Sequence, residues 1–395
     1  MVAIMQLSQR ITGLTGSDSD GWGVFYRARR LAMAGEPIIE LTIGEHDIRT
    51  AAPILQEMHQ SALSGHTGYA MVPGTDALRD AVAKRTQDRT GVATTRDNVL
   101  ITPGGQAALF AAHAAALDAG DTGLFLDPYY ATYPGTIRGA GGVARSVLTR
   151  AEDAFQPREA DLMAQAGGAK SLLINSPNNP TGVVYSTETL EGIARVCRSH
   201  DLWLISDEVY DCQVWEGAHL SPRALPDMVE RTLVIGSMSK SHAMTGSRCG
   251  WIVGPEEVVE HLINLATHTT YGVPGFIQDA STYAIGQGPG LEAEIAAPFQ
   301  RRRLAAQDQL KRQNVIVPVP SQGAMYIMLD IRATGLSGED FANALLDDQG
   351  IAVMPGESFG AAAAGHIRVA MTVDDDAFAD ALGKIISFAE ARAQS

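Results

Sequence analysis

The chain has 395 residues, of which 45% are hydrophobic and 19% are charged, a composition typical of a globular protein with two or three domain-sized units. Its formal net charge of −15 disfavours polyanionic partners such as nucleic acid or an anionic membrane, because the overall field of the protein repels them. The three cysteines, Cys197, Cys212 and Cys249, form no close pair, so the sequence predicts neither a disulfide framework nor a zinc site and favours a cytoplasmic location.

The N-terminal region shows no targeting signal. It lacks a basic segment followed by an apolar run, and no stretch of the chain approaches the roughly 18 apolar residues that span a bilayer. We therefore expect a protein that is neither exported nor embedded in a membrane. The polar stretch TGSDSDG within residues 1–22 predicts an irregular arm, of the kind that often lies on a partner subunit.

Short elements follow this arm. Residues 24–34 have the Arg and Ala content of a helix, and PIIELT at 37–42 predicts a strand that leads into a turn at Gly44. Tyr69 lies in a glycine-flanked loop. Asp76 then begins a helix in which apolar residues recur three and four positions apart.

The central part of the chain alternates strands and helices. A strand at 99–102 is followed by a turn at Gly104 and Gly105 and by an alanine-rich helix, whose free N-terminal N–H groups could hold an anion. Further buried strands are predicted at TGLFLD, SLLIN and LWLISD, and this alternation indicates a mainly parallel sheet flanked by helices. Asn179 and Asp207 follow predicted strands, where such sheets bind their ligands.

The most unusual stretch is SMSKSHAMTGSRCGW, which begins at Ser237 between the predicted strands TLVIGS and CGWIVG. It places Lys240 on the connecting loop, near Ser237 and Arg248 in sequence. A lysine amine held there is partly desolvated, which lowers its pKa and makes it a nucleophile toward carbonyl groups. A serine hydroxyl and a guanidinium group suit a phosphate dianion. The stretch therefore predicts a site for pyridoxal phosphate.

After residue 285 the pattern changes to that of a smaller α+β domain. GQGPG interrupts the chain, and a long helix rich in Arg and Gln runs to about Gln313. Strands at GAMYIMLDI and HIRVAM bracket a helix at FANALLDDQG, and an amphipathic helix follows at 375–393. We predict an N-terminal arm and part of the small domain over 1–48, a large cofactor-binding domain over 49–285, and a C-terminal small domain over 286–395.

Six motifs, in this order along the chain, resemble those of the fold type I pyridoxal phosphate enzymes, in particular the class I/II aminotransferases that include the aspartate aminotransferases. They are NNPTG (178–182), SDEVY (206–210), SMSK (237–240), SRCGW (247–251), PGESFG (355–360) and Arg368. The resemblance covers nearly the whole chain. It implies a large α/β domain with a mainly parallel seven-stranded sheet flanked by helices, and a smaller α+β domain. It also implies an aminotransferase that moves the amino group of an L-amino acid to a 2-oxo acid such as 2-oxoglutarate, with ping-pong kinetics.

The resemblance implies a role for each residue beside the cofactor. Lys240 forms the Schiff base with pyridoxal phosphate and acts as the general base, while Asp207 keeps the pyridine nitrogen protonated. Tyr210 and Asn179 bond the 3-oxygen of the ring, and Tyr130 stacks over it. The phosphate is held by Gly104, Gly105, Gln106, Ser237, Arg248 and, across a dimer, by Tyr69 from the neighbouring subunit.

The resemblance also implies how the substrate is held. Arg368 grips the α-carboxylate through a bidentate fork, which a lysine could not reproduce. Gly44 offers a backbone contact on the other side of that carboxylate, and Asn179 borders the same place. Because Tyr69 would serve the neighbouring site, the resemblance implies a homodimer with shared active sites.

Three departures from the family pattern concern the substrate side chain. Gln106 stands where some aspartate-selective relatives carry a lysine, and His46 stands where the family usually has proline. The stretch THTTYGVPG at 267–275 contains no arginine that could hold a second carboxylate. A neutral or aromatic amino donor therefore fits at least as well as aspartate.

Two alternatives to transamination follow from the same residues. A pyridoxal phosphate C–S lyase or decarboxylase shares the fold, but such lyases commonly carry histidine where this chain has Tyr210. A more remote alternative is an aminotransferase-like module that only binds an effector, as in regulators with a DNA-binding head. About 45 residues precede Gly44, and they show no helix-turn-helix pattern.

Overall fold

The computed structural model of the chain describes residues 5–15 and 21–394. Residues 16–20, which carry most of the TGSDSDG stretch and with it much of the predicted irregular arm, lie outside the described residues. Among the helices of the described ranges, none has the length and apolar character needed to cross a membrane.

The described chain contains fourteen α-helices and twelve strands in two sheets, joined by loops and short 3-10 turns. The helices are α1 (Gln9–Thr12), α2 (Gly23–Met33), α3 (Ala52–Leu63), α4 (Asp76–Thr90), α5 (Gly105–Ala116), α6 (Tyr133–Gly139), α7 (Glu159–Ala166), α8 (Thr187–Ser199), α9 (Met238–Ser241), α10 (Glu256–His268), α11 (Gly275–Gly286), α12 (Pro289–Leu310), α13 (Gly338–Gln349) and α14 (Asp375–Ala393). The strands are β1 (Ile39–Leu41), β2 (Val99–Thr102), β3 (Thr122–Asp127), β4 (Val143–Leu148), β5 (Ala169–Asn175), β6 (Trp203–Asp207), β7 (Thr232–Ser237), β8 (Gly250–Val253), β9 (Val317–Pro318), β10 (Tyr326–Asp330), β11 (Ile351–Pro355) and β12 (His366–Ala370).

Strands β2 to β8 form one sheet, in the order β2, β8, β7, β6, β5, β3, β4. The strands from β7 to β4 run parallel, whereas β8 is antiparallel to both β2 and β7. Every residue of β2, β3, β7 and β8 is buried, as expected for strands that are covered on both faces. The predicted mainly parallel sheet of seven strands is confirmed.

Helices pack on both faces of this sheet. Leu172 of β5 belongs to the same core cluster as Ile193 of α8, whereas the next residue, Leu173, packs in the cluster that contains Leu109 of α5. This follows from the two-residue period of a strand, which sends successive side chains to opposite faces. The last residues of β5 and β6, Asn175 and Asp207, lie opposite each other at the carboxyl edge of the sheet.

A second sheet joins the two ends of the chain, in the order β1, β11, β12, β10, β9. Strand β1 is parallel to β11, with Leu41 opposite Val353, and the other pairs are antiparallel. The predicted strands and helix of the smaller α+β unit correspond to β10, β12 and α13. Strand β11 was not predicted, because five apolar residues between a helix and a turn carry no periodic signal of their own. The domain boundaries at 48 and 285 stay predictions.

Two local predictions were wrong. Lys240 was expected on a loop, but it lies in α9, a single helical turn that Ser237 caps by accepting a hydrogen bond from the Ser239 N–H at 3.1 Å. The long helix expected to reach about Gln313 ends at Leu310. Boundaries of this kind depend on caps and on tertiary packing rather than on the hydrophobic pattern.

Candidate active site

Lys240 projects from α9 toward the chain that follows β1. Its Nζ donates a hydrogen bond to the carbonyl oxygen of Gly44. Burial lowers the pKa of the Lys240 amine against the opposing effects of Tyr326 and Glu45, and the guanidinium groups of Arg368 and Arg248 act in the same direction as burial. An amine with a lowered pKa is more often neutral and therefore a better nucleophile toward a carbonyl group.

Asp207 ends β6 as a buried carboxylate. Its Oδ2 accepts a hydrogen bond from the Tyr133 hydroxyl at 2.7 Å, and its Oδ1 accepts the Val209 N–H at 3.3 Å. Within the described ranges no Lys, Arg or His side chain forms an ion pair with it. Burial raises the pKa of Asp207 to about 6, although both hydrogen bonds oppose this shift. A carboxylate fixed in this way suits a protonated nitrogen of a ligand.

The start of α5 lies against Ser237 and Arg248 in an arrangement that suits an anion. Gly104 has φ +80°, and a Cβ added there would lie 2.3 Å from Nη2 of Arg248, so the arginine lies directly against this glycine. A Cβ at Gly105 would lie 3.7 Å from Cβ of Ser237. The free N–H groups at the beginning of the helix and the guanidinium group therefore converge on one place. Gln106, the next residue, has its amide oxygen bonded to the Thr132 hydroxyl at 3.1 Å.

Three tyrosines lie between these charged groups. The hydroxyls of Tyr210 and Tyr326 are 3.0 Å apart, and burial raises the pKa of Tyr210 well above its ordinary value. Burial also raises the pKa of Tyr130, with the charges of Arg368, Asp207 and Arg248 close enough to act on it. At Gly44 an added Cβ would lie 1.8 Å from the Tyr326 hydroxyl oxygen, so only glycine leaves room for this ring.

Arg368 is a buried guanidinium group, only 1% exposed. Its Nη1 donates to Oδ1 of Asn179 at 2.8 Å and its Nη2 donates to the Thr42 carbonyl, but its Nε has no partner among the described residues. The rings of Tyr326 and Phe359 each lie 4.4 Å from its Cζ. Burial lowers the pKa of Arg368. A buried cation that keeps an unused donor and has no carboxylate partner in the described chain is suited to an anionic ligand.

Asn179 connects this arginine to the edge of the large sheet. Its backbone N–H donates to Oδ1 of Asn175 at 2.7 Å, and Asn175 in turn donates to the carbonyl of Asp207 at 2.9 Å. The side-chain oxygen of Asn179 is taken by Arg368. Its amide nitrogen is therefore the atom left to donate to an oxygen of a ligand.

The structure brings most of the predicted site residues together, but not Tyr69. That side chain is 91% exposed, and its ring packs edge-on to Tyr271 at 5.2 Å. Four residues of the site were missed at the sequence level: Thr42, Tyr133, Tyr326 and Phe359. The cluster of tyrosines at 129–133 was a signal for Tyr133. Tyr326 lies in an apolar segment that resembles ordinary core, and Phe359 lies in the PGESFG motif, whose pattern does not show what the ring contacts.

The donor set fits pyridoxal phosphate group by group. The phosphate matches the N–H groups after Gly104 and the guanidinium group of Arg248, and the pyridine nitrogen matches the carboxylate of Asp207, which has no ion-pair partner among the described residues. The aldehyde matches the amine of Lys240. Gly104 leaves room for Arg248 at the phosphate end of this arrangement, and Gly44 leaves room for Tyr326 beside Arg368.

Comparisons with known proteins agree with this fit. Residues 36–385 match the family model described as aminotransferase class I and II. The arginine–pyruvate transaminase of Pseudomonas aeruginosa is 39% identical over 96% of this chain and 97% of its own length. The aspartate/prephenate aminotransferase of Thermus thermophilus is 34% identical over 95% and 97%. The aspartate aminotransferase of Thermus thermophilus solved with maleate superposes with a TM-score of 0.90 and 32% identity, over 98% of this chain and all of that one.

Proposed function

The chain belongs to the class I and II aminotransferases, pyridoxal phosphate-dependent enzymes that transfer amino groups, and we propose that Lys240 is its Schiff-base lysine and general base. The predicted family, fold, cofactor and class of reaction are thereby confirmed. The observation that carries the role of Lys240 is its enclosed amine, whose pKa is lowered by burial and which faces Gly44 within the same site as Asp207 and Arg368.

The cofactor-binding roles divide along the geometry of the site. We assign the phosphate to the N–H groups that follow Gly104, to Ser237 and to Arg248, and the ring nitrogen to Asp207. Tyr210 and the amide nitrogen of Asn179 would bond the 3-oxygen, and Tyr130 would cover the ring. When bound, pyridoxal phosphate supplies an electron sink that stabilises negative charge at the α-carbon of the amino acid.

The substrate roles fall to Arg368, Gly44 and Asn179. The free Nε of Arg368, beside its Nη atoms, gives the fork that a carboxylate requires, and Asn179 fixes the orientation of that fork. With the carboxylate held there, the Lys240 amine would take the α-proton and pass it to the bound cofactor within the same half-reaction. The second half-reaction would use the same residues in reverse order, which gives ping-pong kinetics.

A lysine exchange tests this assignment. Lys240→Ala should abolish transamination and the visible absorbance of the bound cofactor, while circular dichroism shows the fold unchanged. Lys311→Ala serves as the control, because its side chain is 75% exposed. Full turnover by Lys240→Ala would refute the role of this lysine.

The lyase alternative is tested by incubating the enzyme with an amino acid alone, since continuous release of ammonia without an oxo acid would contradict transamination as its sole activity.

The donor and acceptor are also proposals. We propose a donor with a neutral, aromatic or basic side chain, because Gln106 is uncharged and no arginine occurs in residues 267–275. The relative from Pseudomonas aeruginosa is named for arginine and pyruvate, which supports a basic donor. Activity measured with arginine, phenylalanine, leucine and aspartate as donors, each with pyruvate, 2-oxoglutarate and oxaloacetate as acceptors, would show which pair the enzyme prefers. Aspartate as the best donor would overturn the proposal.

We further propose a cytoplasmic homodimer with shared active sites. The exposed rings of Tyr69 and Tyr271 and the 67% exposed side chain of Met71 support a subunit interface at this place. The three free cysteines support a reducing compartment. Light scattering at several protein concentrations tests the dimer, and Tyr69→Phe should weaken cofactor retention if this hydroxyl reaches the neighbouring phosphate.

A further inference from the structure

The segment after β11 supplies one of the two rings that hold Arg368. Phe359 is fully buried, and its ring centroid lies 4.4 Å from the Cζ of Arg368. Tyr326 contributes the second ring at the same distance. Tyr326 is part of strand β10, but Phe359 ends a short 3-10 turn, Gly356–Phe359, which pairs with no strand of the described chain. Whatever fixes this turn therefore also fixes one side of the guanidinium group.

Asp127 fixes the turn from the other sheet. It is the last residue of β3 and is 3% exposed. Its Oδ2 accepts the Ala361 N–H at 3.0 Å and its Oδ1 accepts the Ala362 N–H at 3.2 Å. Two residues further along, the Tyr129 N–H donates to the Phe359 carbonyl at 2.9 Å. Three hydrogen bonds from one strand end thus hold the chain on both sides of Gly360.

Gly360 explains why the carboxylate can come so close. Its φ is +115°, and a Cβ added there would lie 2.1 Å from Oδ1 of Asp127. Any other residue at this position would be strained in its backbone and would also push the carboxylate away. The final glycine of the PGESFG motif is therefore the place where the end of β3 meets the turn.

We propose that Asp127 is a positioning residue for the substrate carboxylate, acting through Phe359 on Arg368. The inference rests on the proposed role of Arg368. Asp127 is buried and forms no ion pair within the described residues, so its carboxylate serves the two N–H groups of the turn. Loss of these bonds would let Phe359 move, and the fork of Arg368 would lose its fixed orientation. The affinity for the amino acid would then fall, while the rate of the chemical step at Lys240 would stay the same.

The test compares Asp127→Asn, which keeps one acceptor oxygen, with Asp127→Ala, which keeps none. Asp374→Asn is the matched control, because the Asp374 carboxylate also accepts a backbone N–H, that of Ala377 at 2.9 Å, but at the start of α14. Steady-state kinetics of the holoenzyme with its best donor gives KM and kcat. Calorimetry with 3-phenylpropionate, which carries a carboxylate but no amino group, gives a dissociation constant that does not depend on turnover.

We expect Asp127→Ala to raise KM and the 3-phenylpropionate dissociation constant by about tenfold, the equivalent of about 1.4 kcal/mol, with a smaller rise for Asp127→Asn. The kcat value, the cofactor absorbance and the control variant should stay within about twofold of the unchanged enzyme. Normal KM and carboxylate binding in Asp127→Asn would overturn the inference, as would a loss confined to kcat or to cofactor retention. If Asp127→Ala fails to fold, the asparagine variant alone decides.

Arg368→Lys in the same series separates this inference from the function on which it rests. A large rise in KM for Arg368→Lys together with normal values for both Asp127 variants would refute the positioning role of Asp127 alone. An unchanged KM for Arg368→Lys would refute the proposed role of Arg368, and the inference with it. A rise in KM for Arg368→Lys and for the Asp127 variants, larger for Asp127→Ala than for Asp127→Asn, would support the role of Arg368 and the positioning role of Asp127.

Discussion

The hydroxyl of Tyr133 donates a hydrogen bond of 2.7 Å to Oδ2 of Asp207, from the first residue of α6 to the last residue of β6. This bond stabilises the ionised carboxylate, against the burial that raises the pKa of Asp207 to about 6. Tyr133 is itself buried, and burial raises its pKa well above the ordinary value, so the phenol stays protonated and remains a donor.

Removal of this donor should shift the acid side of the pH profile. In Tyr133→Phe the carboxylate of Asp207 loses its stronger hydrogen bond, so its pKa rises further. The acid limb of kcat/KM should move to higher pH by about one unit, the equivalent of a hydrogen bond to a charged group. Tyr185→Phe is the control, since Tyr185 is an equally buried tyrosine in another core cluster. An unmoved acid limb in Tyr133→Phe would contradict this role of the phenol.

The buried ion pair of Arg85 and Asp211 should contribute strongly to the free energy of unfolding. Nη1 and Nη2 of Arg85 donate to the two carboxylate oxygens of Asp211 at 2.7 and 3.0 Å, and the side chains are 12% and 11% exposed. Asp211→Asn leaves a buried guanidinium group with one partner fewer, so we expect a loss of about 3 kcal/mol in the free energy of unfolding by urea. Asp88→Asn, in the exposed pair with Lys84, should change it by less than about 0.5 kcal/mol. Similar small changes in both variants would contradict the prediction.

The same aspartate predicts a pH dependence. Burial alone would raise the pKa of Asp211, but Arg85 and Arg89 outweigh it and hold the pKa well below the ordinary value. Its contribution to stability is therefore complete above about pH 4, the ordinary pKa of an aspartate, and is lost as the pH falls further. The difference in unfolding free energy between the unchanged protein and Asp211→Asn should narrow below that pH.

His46 should make the protein less stable as the pH falls from 7 to 5. Burial, reinforced by the charge of Lys240, lowers the pKa of His46 from 6.5 to about 4. A group with a lowered pKa contributes stability that is present above its unfolded value of 6.5 and is lost toward its folded value of about 4. His46→Phe, which can pack edge-on to Phe299 as the imidazole does at 5.2 Å, should reduce the fall in Tm across this range.

The control for His46 is His268→Phe, because His268 lies on the exposed side of α10. Two other buried histidines, His113 and His242, also have pKa values lowered by burial, to about 4 and about 3, so part of the fall should remain in His46→Phe. An imidazole of His46 that titrates near pH 6.5 by NMR would contradict the prediction.

Gly44→Ala should damage substrate binding through Tyr326. The added Cβ would lie 1.8 Å from the Tyr326 hydroxyl oxygen, so the ring must leave its place beside Arg368 and Tyr210. We expect kcat/KM to fall by more than about tenfold, with the loss carried mainly by KM. Gly290→Ala is the control, because no atom of the described residues outside its own helical turn lies within 4 Å of its added Cβ. Unchanged kinetics in Gly44→Ala would show that Tyr326 can move without consequence.

The sequence predicted the residues with a proposed chemical role better than it predicted the residues that hold them in place. Lys240 was predicted from its position near Ser237 and Arg248, whereas the roles of Asp207 and Arg368 were implied by the resemblance to the aminotransferase motifs. The ring of Phe359 against Arg368 could not be predicted, since an apolar residue in a turn has the same pattern whether it packs in the core or against a guanidinium group. Strand β11 was missed for a related reason, because its pairing with β1 joins residues about 310 positions apart.

Parallel pairing of β1 with β11 also bears on the order in which the enzyme is made. The strands of the large sheet all lie between Val99 and Val253, so that sheet can close while the ribosome still holds the rest of the chain. Strand β1 leaves the ribosome before any of them but must wait for Ile351 to reach its partner. Thr42 and Gly44, which follow β1, are fixed only then, together with Arg368. Arg368 and the chain that follows β1 are therefore brought together only at the end of synthesis, so a chain that stops before β11 can form the large sheet but not this part of the candidate site.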